Sequence, residues 1–287
     1  MNKRAAELLL AGVIIARSTS LLFTKSGLST IGVFNLLGVR FCVAFLILCL
    51  IFFKKILRTT KKDFLSGLAL GAIYTVVMIA ETFAVRETTT SNVSFLENTA
   101  IVIVPIAEAL IIKKLPSAKQ LLPAAITLVG VGFMTLRGAM GFGFGELLCM
   151  VTALTYACAI IMTDRLSRRC DPLLAGIFQV CFMGVFTVIA TFIFETPRMP
   201  NSSTEWGIIL MLALVCSCFG FTLQPVAQKY VPSTRASQFC ALNPLTATIL
   251  SVVVMKEPLG IGGAIGAALI LTGILMQSKV SSVKEDV

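Results

Sequence analysis

The sequence predicts an all-α integral membrane protein: ten transmembrane helices arranged as two inverted-topology repeats of five. Three observations carry this. The 287 residues are 57% hydrophobic and only 13% charged, with a mean hydropathy of +0.94, a balance no soluble domain shows. Ten apolar stretches follow one another with only short connections. The stretch from Thr88 to Pro116 also has an echo 143 residues later: Ser94 aligns with Ser237, Lys113 with Lys256, Leu115 with Pro258 and Gly130 with Gly273 without a gap. Self-similarity of this kind marks an internal duplication.

The spans are read at roughly 6–26, 31–53, 63–83, 88–112, 117–136, 143–164, 172–194, 205–227, 232–255 and 257–277. At 1.5 Å per residue, about 20 apolar residues cross the hydrocarbon of a bilayer as one helix. Met1 to Ala16 has the charge and apolar run of a signal peptide, but in so apolar a chain it reads as a retained first span. No connection is long enough for a soluble domain, and no G-x-x-x-x-G-K-[ST] occurs to bind ATP. The repeats divide the chain at 1–138 and 139–287.

Charge placement sets the expected orientation. With the N-terminus in the cytoplasm, seventeen Lys and Arg fall on the inner side and five on the outer, and Arg17 and Arg40 lie within spans. That asymmetry expects both termini in the cytoplasm of a cell (inner) membrane. The net charge of +10 is therefore a topology signal, and no isolated basic domain exists to bind nucleic acid. Nine cysteines sit in apolar runs, there is no histidine, and Cys216-x-Cys218 lacks zinc-site spacing, so no metal or cofactor is expected.

Five spans per repeat is an odd number, so the second copy must be upside down relative to the first. Secondary transporters are often built this way, with the site at midplane between repeats. The expected partners are thus the lipid bilayer and a small-molecule substrate.

Motifs are spread along the chain: Arg40-Phe41 in the second span, Thr90-Ser91-Asn92-Val93-Ser94-Phe95-Leu96 opening the fourth, and Ala241-Leu242-Asn243-Pro244 followed by Lys256-Glu257-Pro258-Leu259 around the ninth. In this order and spacing the chain resembles the drug/metabolite transporter superfamily, of the ten-helix EamA type. The resemblance implies a transporter, often an exporter, of amino acids, drugs or other small metabolites through a cavity open alternately to each side. It also allows a homodimer through the last span of each repeat. The chain departs from the family at Arg17, where a Trp-Gly pair is frequent, at Ile101 in place of a proline, and at Lys113-Lys114 in place of Gly-Glu. Glu81, Glu97 and Glu108 are not general family features, so the family assigns them no role.

Their chemistry does suggest one. Charged groups in a span are expensive and face protein or water. Glu97 and Glu108 are eleven residues apart, three helical turns plus about 20°, and so share a face. Glu81 matches Gln224 at an offset of 143, and Arg40 matches Gln179 at 139. The expected cavity is lined by Arg17, Arg40, Glu81 and Glu97, with Tyr156, Gln179 and Gln224 opposite. A guanidinium takes a carboxylate in two hydrogen bonds and a buried Glu takes an ammonium, so an amino-acid-like zwitterion suits it. Glu97 is the first candidate for proton coupling, and Glu108, nearer the cytoplasm, for coupling or a gate. The competing reading has buried Arg and Glu neutralising each other to hold helices together. Three carboxylates keep an organic-cation or drug exporter open as an alternative, and a non-transporting accessory protein is a third. An intramembrane enzyme is not expected, because the spans offer no nucleophile with a base.

Overall fold

A computed structural model describes residues 1–113, 118–136, 143–255 and 261–283, with the side chains of 250–255 and 278–283 excepted. Its helices fall on the ten expected spans: Lys3–Gly27, Val33–Ile56, Lys61–Glu87, Thr90–Ile111, Ala118–Thr135, Phe144–Ser167, Pro172–Phe194 and Ser203–Gln228, then Ser233–Phe239 with Leu242–Met255, and Ile261–Val283. They are numbered here as spans 1 to 10. Odd spans run from the proximal face, where span 1 begins, to the distal face, and even spans return.

Local chemistry fixes the ends. Asn2, Thr89 and Ser202 each accept a backbone N–H at the start of spans 1, 4 and 8, and Thr60 with Asp63 forms a capping box at span 3. Asp171 caps span 7 ahead of Pro172. Span 2 has no capping side chain of its own. Glu195, just beyond span 7, supplies one by accepting from the N–H groups of Phe34 and Asn35 at 3.2 and 2.9 Å. Leu50, Phe53, Leu154, Phe192 and Phe194 remain exposed on span surfaces, the belt a lipid environment requires.

Packing obeys the expected pseudo-twofold, which exchanges span 1 with 6, 2 with 7, 3 with 8, 4 with 9 and 5 with 10. Span 3 packs on 6 and span 8 on 1; span 4 packs on 6 and span 9 on 1; span 3 packs on 7 and span 8 on 2; and 2 pairs with 7, as 5 does with 10. One polar contact repeats in detail. Glu7 pairs with Arg235 at 2.8 Å, and Glu146, 139 residues after Glu7, accepts at 3.0 Å from Asn92, 143 residues before Arg235. The alignment offsets therefore hold in three dimensions.

Several spans depart from a plain rod. Spans 4 and 9 break at Thr99 and at Cys240-Ala241, and span 8 carries a π-helical stretch over Leu212–Phe221. The sequence places these interruptions at Pro105, Pro244 and Pro225, which instead lie inside helical segments. A proline lacks the N–H that would bond the carbonyl four residues earlier and its ring clashes there. The disturbance therefore surfaces upstream, at Cys240 for Pro244 and at the Phe221 end of the π stretch for Pro225. Span 1 is also interrupted, at Thr19. There Ser18 and Thr19 turn their hydroxyls back onto the carbonyls of Ile15 and Ala16, competing with the helix ladder.

Candidate functional site

A cavity of about 660 Å³ lies between the repeats, of the size that holds a small organic molecule. Arg17, Arg40, Glu81 and Glu97, from spans 1 to 4, all line it. Thr90, Ser91, Leu136 and Gly262, at distal ends of their spans, form its mouth. Span 9 contributes Asn243, Pro244, Ala247 and Thr248 from beyond its break.

Each arginine is held by protein while the glutamates are not. Arg17 donates from Nη1 to Gln224 Oε1 at 2.7 Å and to the Tyr156 hydroxyl at 3.4 Å. Its guanidinium carbon sits 4.3 Å from the Phe221 ring centroid, within cation–π range. Span 8 admits it because residue 220 is glycine: a Cβ there would lie 2.6 Å from Arg17 Cγ. Gln224 passes the network on, donating to the Tyr74 hydroxyl at 2.9 Å. Arg40, 1% exposed, donates from Nε to Ser217 at 2.9 Å and from Nη1 to Ser20 at 3.4 Å. Ser217 reaches it from the π-helical stretch, a feature frequent at functional sites.

Glu81 and Glu97 are each 7% exposed and face the cavity. Among the described residues neither accepts a hydrogen bond nor forms an ion pair, so no direct salt bridge to Arg17 or Arg40 ties the helices together. Two buried carboxylates without partners are costly to leave so, and an incoming donor can relieve that cost.

Of the other residues singled out in the sequence, Tyr156 and Gln224 stand behind Arg17 as its hydrogen-bond partners and do not reach the cavity wall. Gln179 is 1% exposed in span 7, outside the cavity, and neither amide atom has a partner among the described residues. Glu108 lies nearer the proximal face, where Ser233 and Thr234 both donate their hydroxyls to its carboxylate. Sequence reasoning passed over Ser20 and Ser217, the two hydroxyls that hold Arg40. Isolated serines in apolar spans carry no pattern, although Ser20 belongs to the Ser18-Thr19-Ser20 run after Arg17. Lys256, with the rest of its motif Glu257-Pro258-Leu259, lies outside the described residues.

The chain belongs to the EamA-like transporter family, which matches it over residues 4–136 and 143–278. Similar proteins include an uncharacterized transporter of Archaeoglobus fulgidus, 28% identical over 95% of this chain and 85% of that relative. Another is the uncharacterized transporter YetK of Bacillus subtilis, 26% identical over 96% of this chain and 87% of the relative. A crystal structure with 18% sequence identity superposes with a TM-score of 0.78 and covers 98% of this chain and 99% of that one, a likeness of fold. The chain is accordingly a multi-pass membrane transporter of a small molecule and not an enzyme.

Proposed function

We propose that this transporter moves small zwitterionic metabolites of the amino-acid class by alternating access, outward across a cell membrane with both termini in the cytoplasm. The observation that carries the reading is the pairing in one cavity of a half-buried guanidinium with two carboxylates that have no protein partner. Arg17 has Nη1 committed to Gln224 and Tyr156, which leaves Nε and Nη2 to take a substrate carboxylate. Glu97 or Glu81 takes the ammonium. A carboxylate without a fixed partner can also exchange a proton for cargo, and Glu97 holds that place beside the break in span 4.

The unpartnered state of Glu81 and Glu97 equally favours a second reading, an organic-cation or drug exporter. Ligand-dependent thermal unfolding in detergent separates the two. A compound that binds only the folded protein stabilises it by about 2.7 kcal/mol at one hundred times its Kd. Zwitterions are expected to raise the melting temperature of the wild type and to lose that effect in both Arg17→Ala and Glu97→Gln. If monovalent organic cations stabilise both wild type and Arg17→Ala, the cation reading replaces the zwitterion one.

A further inference from the structure

Four ionisable side chains of opposite sign line the cavity, and a simple zwitterion uses only two of them. Arg17 and one glutamate take its carboxylate and ammonium, which leaves Arg40 and the other glutamate without a role. Arg40 is 1% exposed and lines the cavity. Its partners are neutral hydroxyls, Ser217 at 2.9 Å from Nε and Ser20 at 3.4 Å from Nη1. Among the described residues no carboxylate lies within ion-pair distance of it, and Nη2 has no partner. A buried guanidinium held by neutral groups alone keeps much of its desolvation cost. A carboxylate brought to Nη2 recovers that cost.

The two guanidiniums belong to one site. The guanidinium carbon of Arg17 sits 4.3 Å from the Phe221 ring centroid and that of Arg40 5.0 Å from the Phe41 centroid. Those two rings meet edge to face with centroids 5.9 Å apart. Glu81 lies within electrostatic reach of both arginines, whereas Glu97 lies within reach of Arg17 and Glu81. The titratable groups around the two acids are otherwise Tyr74, Tyr156, Cys149 and Cys240, all without charge in their ordinary state. With both acids ionised, the two arginines and two glutamates balance. A zwitterion then leaves one buried charge of each sign without a contact. A dicarboxylic amino acid pairs both arginines and one glutamate, and a proton on the remaining glutamate leaves the site neutral with every charge paired. Pairing of this kind is what burial demands.

We propose that Arg40 forms a second carboxylate subsite and that the cargo is a dicarboxylic amino acid bound together with one proton. Arg17 holds the α-carboxylate, Arg40 the side-chain carboxylate through Nη2, one glutamate the ammonium and the other glutamate the proton. This rests on the zwitterion reading of the cavity and narrows it. Ser20 and Ser217 then act as positioning residues, since they fix the guanidinium plane of Arg40 and leave Nη2 free for cargo.

The test is calorimetric titration of the full-length protein in detergent with L-aspartate beside L-asparagine and L-glutamate beside L-glutamine. Each amide keeps the size and the zwitterion of its acid and lacks the second charge. One acid is expected to bind at least about tenfold tighter than its amide, the gain from a charge-assisted contact. Repeating the titration in buffers of different ionisation enthalpy should show that the acid takes up a proton and the amide does not. In Arg40→Gln the advantage of the acid is expected to vanish while the amide binds as before. Acid and amide that bind alike to the wild type, an advantage kept in Arg40→Gln, or an acid bound without a proton each overturn the second subsite and leave the zwitterion reading standing. Succinate or glutarate binding as tightly as the amino acids removes the need for an ammonium and overturns both, as does failure of all these amino acids to bind. The wild-type comparison needs no variant, so it decides the matter even if Arg40→Gln does not fold.

Discussion

Lys113, at the proximal end of span 4, has φ 52°, and among the described residues it is the one non-glycine with a left-handed backbone. Helices commonly end on a residue in this conformation, and glycine fills the position because a Cβ there crowds the following carbonyl, at about 1 kcal/mol. The family resemblance points to the same place, since it expects a Gly-Glu pair where Lys113-Lys114 stands. Lys113→Gly is therefore expected to raise stability by up to about 1 kcal/mol, read as a small increase in melting temperature in detergent. A fall would mean that the lysine stem and its charge at the membrane edge outweigh the backbone term. Arg17 illustrates what a sequence can and cannot say at this scale. Its cost in a span marks it as a candidate, but only the structure shows that Gly220 makes room for it and that Gln224 and Tyr156, expected across the cavity, lie behind it.

At the scale of helices, spans 5 and 10 approach each other closely. A Cβ on Gly130 would lie 2.8 Å from the Gly266 carbonyl oxygen, and one on Gly273 would lie 2.0 Å from Thr127 Oγ1 and 2.8 Å from the Pro123 carbonyl. Gly130 and Gly273 are repeat counterparts, so the duplication conserves the contact that joins its own halves, and helices in lipid gain most of their attraction from such backbone contact. Gly130→Ala is expected to cost about 1–3 kcal/mol by overpacking. Gly207→Ala, whose Cβ meets nothing within 4 Å, should be neutral or stabilise by up to about 1 kcal/mol through helix propensity. Matching losses in thermal unfolding for the two variants would refute the contact as the source. Gly130 and Gly273 were legible as repeat counterparts, but whether they served the fold or a second protomer was not, because an alignment does not name a partner. The spans themselves were legible because hydropathy over about 20 residues is dictated by bilayer thickness. The breaks in spans 4 and 9 were legible only to within about two turns, and the π-helical stretch not at all, since one extra residue in a turn leaves no mark on composition.

For the molecule as a whole, the repeat offset was the most informative feature of the sequence, and its limit is instructive. It says that Arg40 and Gln179 are equivalent, but it does not say which of them faces water in a given state; here Arg40 lines the cavity and Gln179 is sealed. That asymmetry belongs to the packed structure, in which contacts such as Glu108 with Thr234 cross between spans 4 and 9. The halves nonetheless share one core. A single core cluster draws Leu37, Tyr74 and Val104 from the first repeat together with Tyr156, Ile177 and Phe221 from the second, and spans 2, 3 and 5 each pack on a span of the other half. Separating the repeats would expose polar and apolar faces that lipid cannot satisfy in the same way. A protease site inserted between residues 138 and 139 and cut after folding should leave two fragments that co-elute in detergent and melt in one transition within a few degrees of the uncut protein. Fragments that separate, or that melt in two transitions, would mean that each repeat completes its own core, and the cavity between them would then be an interface of two domains rather than the centre of one.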